Sequence, residues 1–453
     1  MTTADRLDEV HRFFGAHPDI EAIELLITDP GGIARGKIVA REELEALYTD
    51  GRCVAGSILG LDVTGEDVED TGLVWSVGDA DRICRPVPGT LKPTPWTRRP
   101  GAQVLLTMHD MDGTPTYADP RHVLARSIQA LAPLRPVVAA EIEFYLLSRA
   151  PDGSLVPAAG LLSGRKQARF DSYGLGKLDD MAPVFDDIYA AAKAQDLPLR
   201  TLMSEYAPGQ FEITLLHRND ALRAIDEAIA FKRLIRGVAL RHGLIACFMA
   251  KPFEEHAGSG MHLHVSLQDA TGANVFASDD PAGTQLLRYA VGGLQAHMAD
   301  SMLIFAPNAN SYRRFRHQSY APVAPTWGIN NRSVSLRIPA GNAASRHVEH
   351  RVSGADANPY LVAAAVLAGV RAGLESQPDP GPPVTGNGYE TVTAATLPRD
   401  WYSAIRAADE STFLHHAFGE QFMKAFIAIK KQECDKFNAR VTATDYAWYL
   451  DSV

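Results

Sequence analysis

From Met261 to Gln268 apolar and polar side chains alternate without a break: Met261, Leu263, Val265 and Leu267 against His262, His264, Ser266 and Gln268. A period of two belongs to a β-strand, where successive side chains point to opposite faces of the sheet. The stretch therefore predicts one core-facing row and one row carrying two imidazoles and a hydroxyl. Gly258–Ser259–Gly260 leads into it as a turn whose backbone can come close to a ligand. Taken alone, a His-x-His pair fits a half-exposed strand as well as a metal site.

The same spacing recurs in distant parts of the chain. Glu141 and Glu143 end a run that begins with apolar Val137–Val138–Ala139–Ala140, and Glu349 stands two residues before Arg351. Arg332 and Arg337 lie beside or on the strand-like Ser333–Ile338, and Glu205 and Glu212 flank the turn Ala207–Pro208–Gly209–Gln210. Two carboxylates at the end of a buried strand lose hydration and repel each other, so they need cations to stay ionised. Five Glu with one or two His suit hard divalent ions such as Mg²⁺ or Mn²⁺ better than zinc. Arginines beside such ions suit phosphoryl transfer, where charge on the moving phosphate must be neutralised. Gly174–Leu175–Gly176–Lys177 brushes against a phosphate-binding loop but lacks the required Gly at 171 and Ser or Thr at 178, and it is set aside.

With 453 residues, 46% hydrophobic and 22% charged, the composition is that of a globular protein of more than one domain. A net charge of −10 argues against a nucleic-acid partner. Cys53, Cys84, Cys247 and Cys434 are widely spaced and read as reduced, packed thiols. No basic–apolar leader and no run of 18 apolar residues occurs, so the expectation is a cytoplasmic protein without a membrane partner. Helices are expected over 5–14, from about Pro120, from Asp220 to Gly243, over Ala363–Gly373 and over Phe418–Lys431. Strands are expected over Ile20–Thr28, Ile33–Val39, Val104–His109, Val137–Leu147, Ile245–Ala250, Met261–Leu267 and Ser333–Ile338. A domain boundary falls after residue 112, giving units 1–112 and 113–453.

Taken together, the motifs Glu141–Ile142–Glu143–Phe144, Glu205 through Glu212, Gly258–Ser266, Asn310–Ser311–Tyr312, Asn331–Arg332–Ser333, Arg337–Ile338–Pro339, Glu349–His350–Arg351 and Asn358–Pro359–Tyr360 resemble the glutamine synthetase superfamily over nearly the whole chain. The resemblance implies an α+β fold: an N-terminal β-grasp domain, then a catalytic domain with a curved antiparallel sheet. It implies a homo-oligomer of stacked hexameric rings with active sites between subunits. Glu143, Glu205 and Glu212 would hold one metal and Glu141, His262 and Glu349 a second, with Mg²⁺ or Mn²⁺ as cofactor and ATP as substrate. His264, Ser266 and Arg337 match nucleotide positions, and Arg332 and Arg351 match catalytic arginines that stabilise the transferring phosphate. Gly258 and Arg314 match glutamate contacts. The implied reaction phosphorylates the γ-carboxylate of glutamate, after which an amine displaces phosphate.

Ammonia-using members carry an Asp in Asp-Gly-Ser-Ser and a Glu before Ala-Pro. Here the corresponding stretches read Ala55–Gly56–Ser57–Ile58 and Tyr320–Ala321–Pro322. Without those two anions a small ammonium pocket loses its attraction for the cation, and Ala55, Ile58 and Tyr320 become candidate linings for a larger amine. Gly60–Gly65, Asp79–Arg82 and Tyr446–Leu450 are similar to glutamate–polyamine ligases. Asp62, Glu66, Asp67, Glu69 and Asp70 admit two readings, a polycation attractor or a solvated acidic loop, and the second is preferred. The expected function is ATP-dependent ligation of glutamate to a primary amine of the putrescine type. A glutamine synthetase using ammonia, or a non-catalytic scaffold or sensor on the same fold, are the alternatives.

Overall fold

The computed structural model describes residues 3–391 and 396–453. After the helix Thr3–Ala16, β1 (Ala22–Thr28) and β2 (Ala34–Ala40) form an antiparallel hairpin. Asp29 shapes its turn, accepting from the Ile33 amide at 2.8 Å and from Arg35 Nε at 2.8 Å. β3 (Arg52–Ala55), β4 (Asp81–Pro86), β5 (Lys92–Pro93) and β6 (Gly101–His109) complete a six-stranded sheet ordered β2-β1-β6-β4-β3, with β5 on β6. β1 and β6 run parallel, which with the helix Leu44–Asp50 gives the grasp arrangement expected. β3 runs directly into a 3₁₀ turn over Gly56–Leu59.

The second sheet has nine strands: β7 (Arg135–Arg149), β8 (Leu155–Pro157), β9 (Leu199–Ser204), β10 (Gln210–Leu215), β11 (Ile245–Cys247), β12 (Met261–Gln268), β13 (Trp327–Ile329), β14 (Leu336–Ile338) and β15 (Val348–His350). Its order is β13-β14-β15-β12-β7-β10-β9, antiparallel throughout that path except β13–β14. Helices cover the apolar back of this curled sheet. Phe185, from the helix Ala182–Ala194, meets Phe211 at 4.9 Å between ring centroids, and Phe231, from the helix Ala221–Arg241, meets Phe144 at 6.4 Å. The long helix begins where the sequence places it, capped by Asp220, whose carboxylate accepts from the Arg223 amide at 3.0 Å.

Two strands are shorter than their sequences suggest. Only Leu336–Ile338 of Ser333–Ile338 is extended, because Asn331 caps a turn by accepting from the amide and hydroxyl of Ser333. Only Ile245–Cys247 of Ile245–Ala250 pairs, along β7. Cys84 and Cys434 are buried, but Cys53 is exposed rather than packed, on an edge strand. Among the described residues no helix is long and apolar enough to cross a membrane.

Glu66, Asp67, Glu69 and Asp70 are exposed, as a solvated acidic loop requires, but Asp62 is not. It is 1% exposed and is bound by Lys436, by Gln432 Nε2 at 3.0 Å and by the Thr64 hydroxyl at 2.7 Å. Burial pushes its carboxyl up, and the hydrogen bonds from Lys436, Thr64 and Gln432 reverse this, leaving it well below its ordinary 3.8. A depressed folded pKa gives stability that is present above the unfolded pKa and lost as pH falls through the folded one. Asp62→Asn is therefore expected to lower the thermal midpoint at pH 7, and the deficit relative to the parent should shrink steadily below about pH 4. Scanning calorimetry across that range checks this; a deficit independent of pH would rule out the ionic contribution.

Candidate active site

Strand register builds the site. Along β7, Glu141 stands opposite His262 of β12, and Glu143 opposite Glu212 of β10. His264 stands opposite Glu349 of β15, which in turn faces Arg337 of β14. Directly opposed side chains lie within reach of one another, so five strands place these groups on one face. The intervening Ile142, Phe144, Phe211, Ile213, Leu263 and Val265 are buried on the other. Glu205 joins from the end of β9, where the Lys177 ammonium donates to the carbonyls of Glu205, Ala207 and Gln210 and holds the turn. That is the structural use of the lysine in the failed phosphate-loop motif.

The distances are short. His262 Nδ1 is 3.3 Å from Glu141 and 3.7 Å from Glu349, and His264 Nε2 is 3.0 Å from Glu141. Three overlapping groups offer ligand atoms within 4.8 Å of one another: Glu143, Glu205 and Glu212; Glu141, Glu212 and His262; and Glu141, His264 and Glu349. The family resemblance matches His264 to the nucleotide, while the ligand count leaves room for one or two histidines; its position makes it a candidate ligand as well. His347, which the sequence reading passed over, holds the His264 ring: its Nε2 lies 2.9 Å from His264 Nδ1, and its own Nδ1 lies 2.7 Å from the Ser345 carbonyl.

Electrostatics divide the cluster. Burial raises Glu143, Glu205 and Glu212; charge repulsion adds to it, from Glu205 on Glu143, from Glu141 on Glu205, and from four glutamates on Glu212. Glu141 is held low against burial by His262 and His264, and Glu349 is lowered against burial chiefly by Arg351. An acidic face that cannot stay ionised unaided fits divalent cations with oxygen ligands. Glu349 is fully buried; it pairs with Arg351 and accepts from Arg337 Nη1 at 2.8 Å. Arg337 Nε and Arg351 Nε are buried without a partner. Unused buried donors beside the cluster are available to an anionic ligand.

The remaining candidates fall as follows. Arg314 is 5% exposed, donates to the Val352 carbonyl at 2.8 Å and lies in the field of Glu143. A Cβ at Gly258 would lie 2.7 Å from the Arg314 stem, and one at Gly260 2.6 Å from its guanidinium. The glycines therefore admit Arg314 alongside the strand, and the space beside Gly258 is already filled. Ser266 shares the His262 face at half burial, and Arg332 is exposed but close enough to lower Glu205. Tyr320 is 64% exposed with φ +57, a strained backbone for an aromatic residue. Ala55 ends β3 of the first sheet and Ile58 lies in the 3₁₀ turn that follows it, packed on that sheet's core; one chain does not bring them into the glutamate cluster.

The description "glutamine synthetase, catalytic domain" matches residues 117–449. Gamma-glutamylputrescine synthetase PuuA of Escherichia coli is 40% identical, covering 98% of this chain and 94% of that protein. Glutamate–isopropylamine ligase of a Pseudomonas species is 31% identical, covering 98% of each. The structure of a GmaS/ADP complex superposes with a TM-score of 0.84 at 28% identity, covering 97% of this chain and 99% of that one. The chain belongs to the glutamine synthetase family, whose members here are γ-glutamyl amide-forming ligases.

Proposed function

We propose that this member of the glutamine synthetase family uses ATP to join the γ-carboxylate of glutamate to a primary alkylamine, of which putrescine is the first candidate, in preference to ammonia. The observation that carries the preference is the absence of carboxylates at Ala55 and Tyr320, and the putrescine-ligating relative supports it. Glu143, Glu205 and Glu212 would hold one divalent ion and Glu141, His262 and Glu349 a second, Mg²⁺ or Mn²⁺. When bound, the ions offset the charge of the triphosphate. Arg314 holds glutamate; Arg337 and Arg351 aim their spare donors, with Arg332, at the phosphoryl group as it passes to the γ-carboxylate. His264 and Ser266 face the nucleotide. The buried setting keeps water from the acyl phosphate until the amine attacks its carbonyl carbon and phosphate leaves. Ala55 and Ile58 would reach the site of a neighbouring copy in a ring of stacked hexamers.

Phosphate release with ATP, Mg²⁺ and glutamate, supplied with putrescine or with ammonium, tests this. Putrescine is expected to give a kcat/KM about tenfold or more higher, the scale of one lost charge contact. Ala55→Asp with Tyr320→Glu should narrow the gap by raising ammonium turnover. Equal turnover of both amines by the parent enzyme would overturn the preference.

A further inference from the structure

We infer that Phe170 and Tyr206 form the subsite that receives the alkyl chain of the amine, and that the chain it takes belongs to a primary alkylamine or diamine. The inference rests on the proposed function and names the part of the site that selects its substrate. Tyr206 follows Glu205 directly and donates its amide to Glu205 Oε2 at 3.0 Å, so its ring stands one residue from the carboxylate cluster. The loop carrying Phe170 is pinned to the same hairpin. Gln167 Oε1 accepts from the Gly209 amide at 2.9 Å, the Ser204 hydroxyl donates to the Asp171 carbonyl at 3.0 Å, and the Tyr173 amide donates to the Ser204 carbonyl at 3.0 Å.

The two rings stack at 4.8 Å and 24°. His256 stands edge-on to Phe170 at 6.2 Å, with Phe253 edge-on to His256 at 5.4 Å. Phe170 is 56% exposed and Tyr206 50%. An aromatic wall left open to water beside a charged reaction centre gains from any apolar group that covers it. Ammonia has no carbon with which to do so. An alkyl chain has, and the π faces also accept the second ammonium of a diamine.

The test is the dependence of kcat/KM on chain length across methylamine, ethylamine, propylamine and butylamine, with ATP and glutamate saturating. In the parent enzyme each added methylene should raise kcat/KM about two- to fourfold, as expected for partial to full burial of one CH₂. Phe170→Ala and Tyr206→Ala should flatten that slope toward no gain per methylene, while Tyr206→Phe retains it. A slope unchanged in both alanine variants, or a uniform loss for all four amines, overturns the subsite. No turnover by the parent enzyme with any amine overturns the proposed function itself, a result distinguishable from a flat slope.

Discussion

Glu349→Ala is expected to lower phosphate release on the order of 10²–10³-fold and to destabilise the ion-free protein. Burial and the nearby Glu141 disfavour the charge on this carboxylate, but Arg351 above all, with His264 and His262, outweighs them and holds its pKa below the ordinary value, and Arg337 also contacts it directly. The environment therefore favours the charge. Removing it strands the buried Arg351 guanidinium and takes a partner from half-buried Arg337, a loss of about 3–5 kcal/mol when one partner of a buried pair is deleted. Urea unfolding in the presence of a chelator measures the stability change, and an unchanged unfolding midpoint would contradict the reading.

Glu212→Gln carries the opposite sign for stability and the same sign for activity. Glu212 is 8% exposed, and burial together with Glu141, Glu143, Glu205 and Glu349 disfavours its ionised form. A folded pKa raised above the unfolded value costs stability as pH climbs past the unfolded pKa. A neutral amide of the same shape removes that cost. In chelator at pH 7 the thermal midpoint should rise by a few degrees, the scale on which ~1 kcal/mol moves a domain of this size. The gain should vanish at pH 4, and phosphate release should fall on the order of 10²-fold or more. A midpoint lowered at pH 7 would show that the carboxylate stabilises the ion-free fold. Opposite stability effects from two residues of one cluster are expected where a site is built for an ion rather than for folding.

The cluster was legible in the sequence because its information is local. A spacing of two on strands fixes the face without knowledge of the sheet, and Glu141/Glu143 and His262/His264 needed only that. Register is not local. That Glu143 meets Glu212 while His264 meets Glu349 depends on how distant strands align, and this is why His264 acquires a second candidate role. The glycines at 258 and 260 suggested a close approach; the partner turned out to be the Arg314 side chain.

Three helices escape the sequence reading although their polar and apolar faces are about as distinct as those of the helices it finds. The stretches 182–194, 285–296 and 401–410 are helical although no element was expected there. In Gln285–Ala296, Gly292 and Gly293 argue locally against a helix. A Cβ at Gly293 would lie 2.4 Å from the Gly369 carbonyl, so tertiary packing against the helix Pro359–Ser376 selects glycine over helix propensity. Asp62 follows the same logic: Gln432 and Lys436, which bury its carboxylate in an ion pair, lie 370 and 374 residues away in sequence.

Oxygen transfer from glutamate tests the central claim most directly. With both γ-carboxylate oxygens of glutamate labelled with ¹⁸O, and with ATP and putrescine unlabelled, the released phosphate is analysed by mass spectrometry. Attack of the γ-carboxylate on ATP followed by aminolysis leaves one labelled oxygen in each phosphate and one in the γ-glutamyl amide. Phosphate released without label would contradict an acyl-phosphate route through this site.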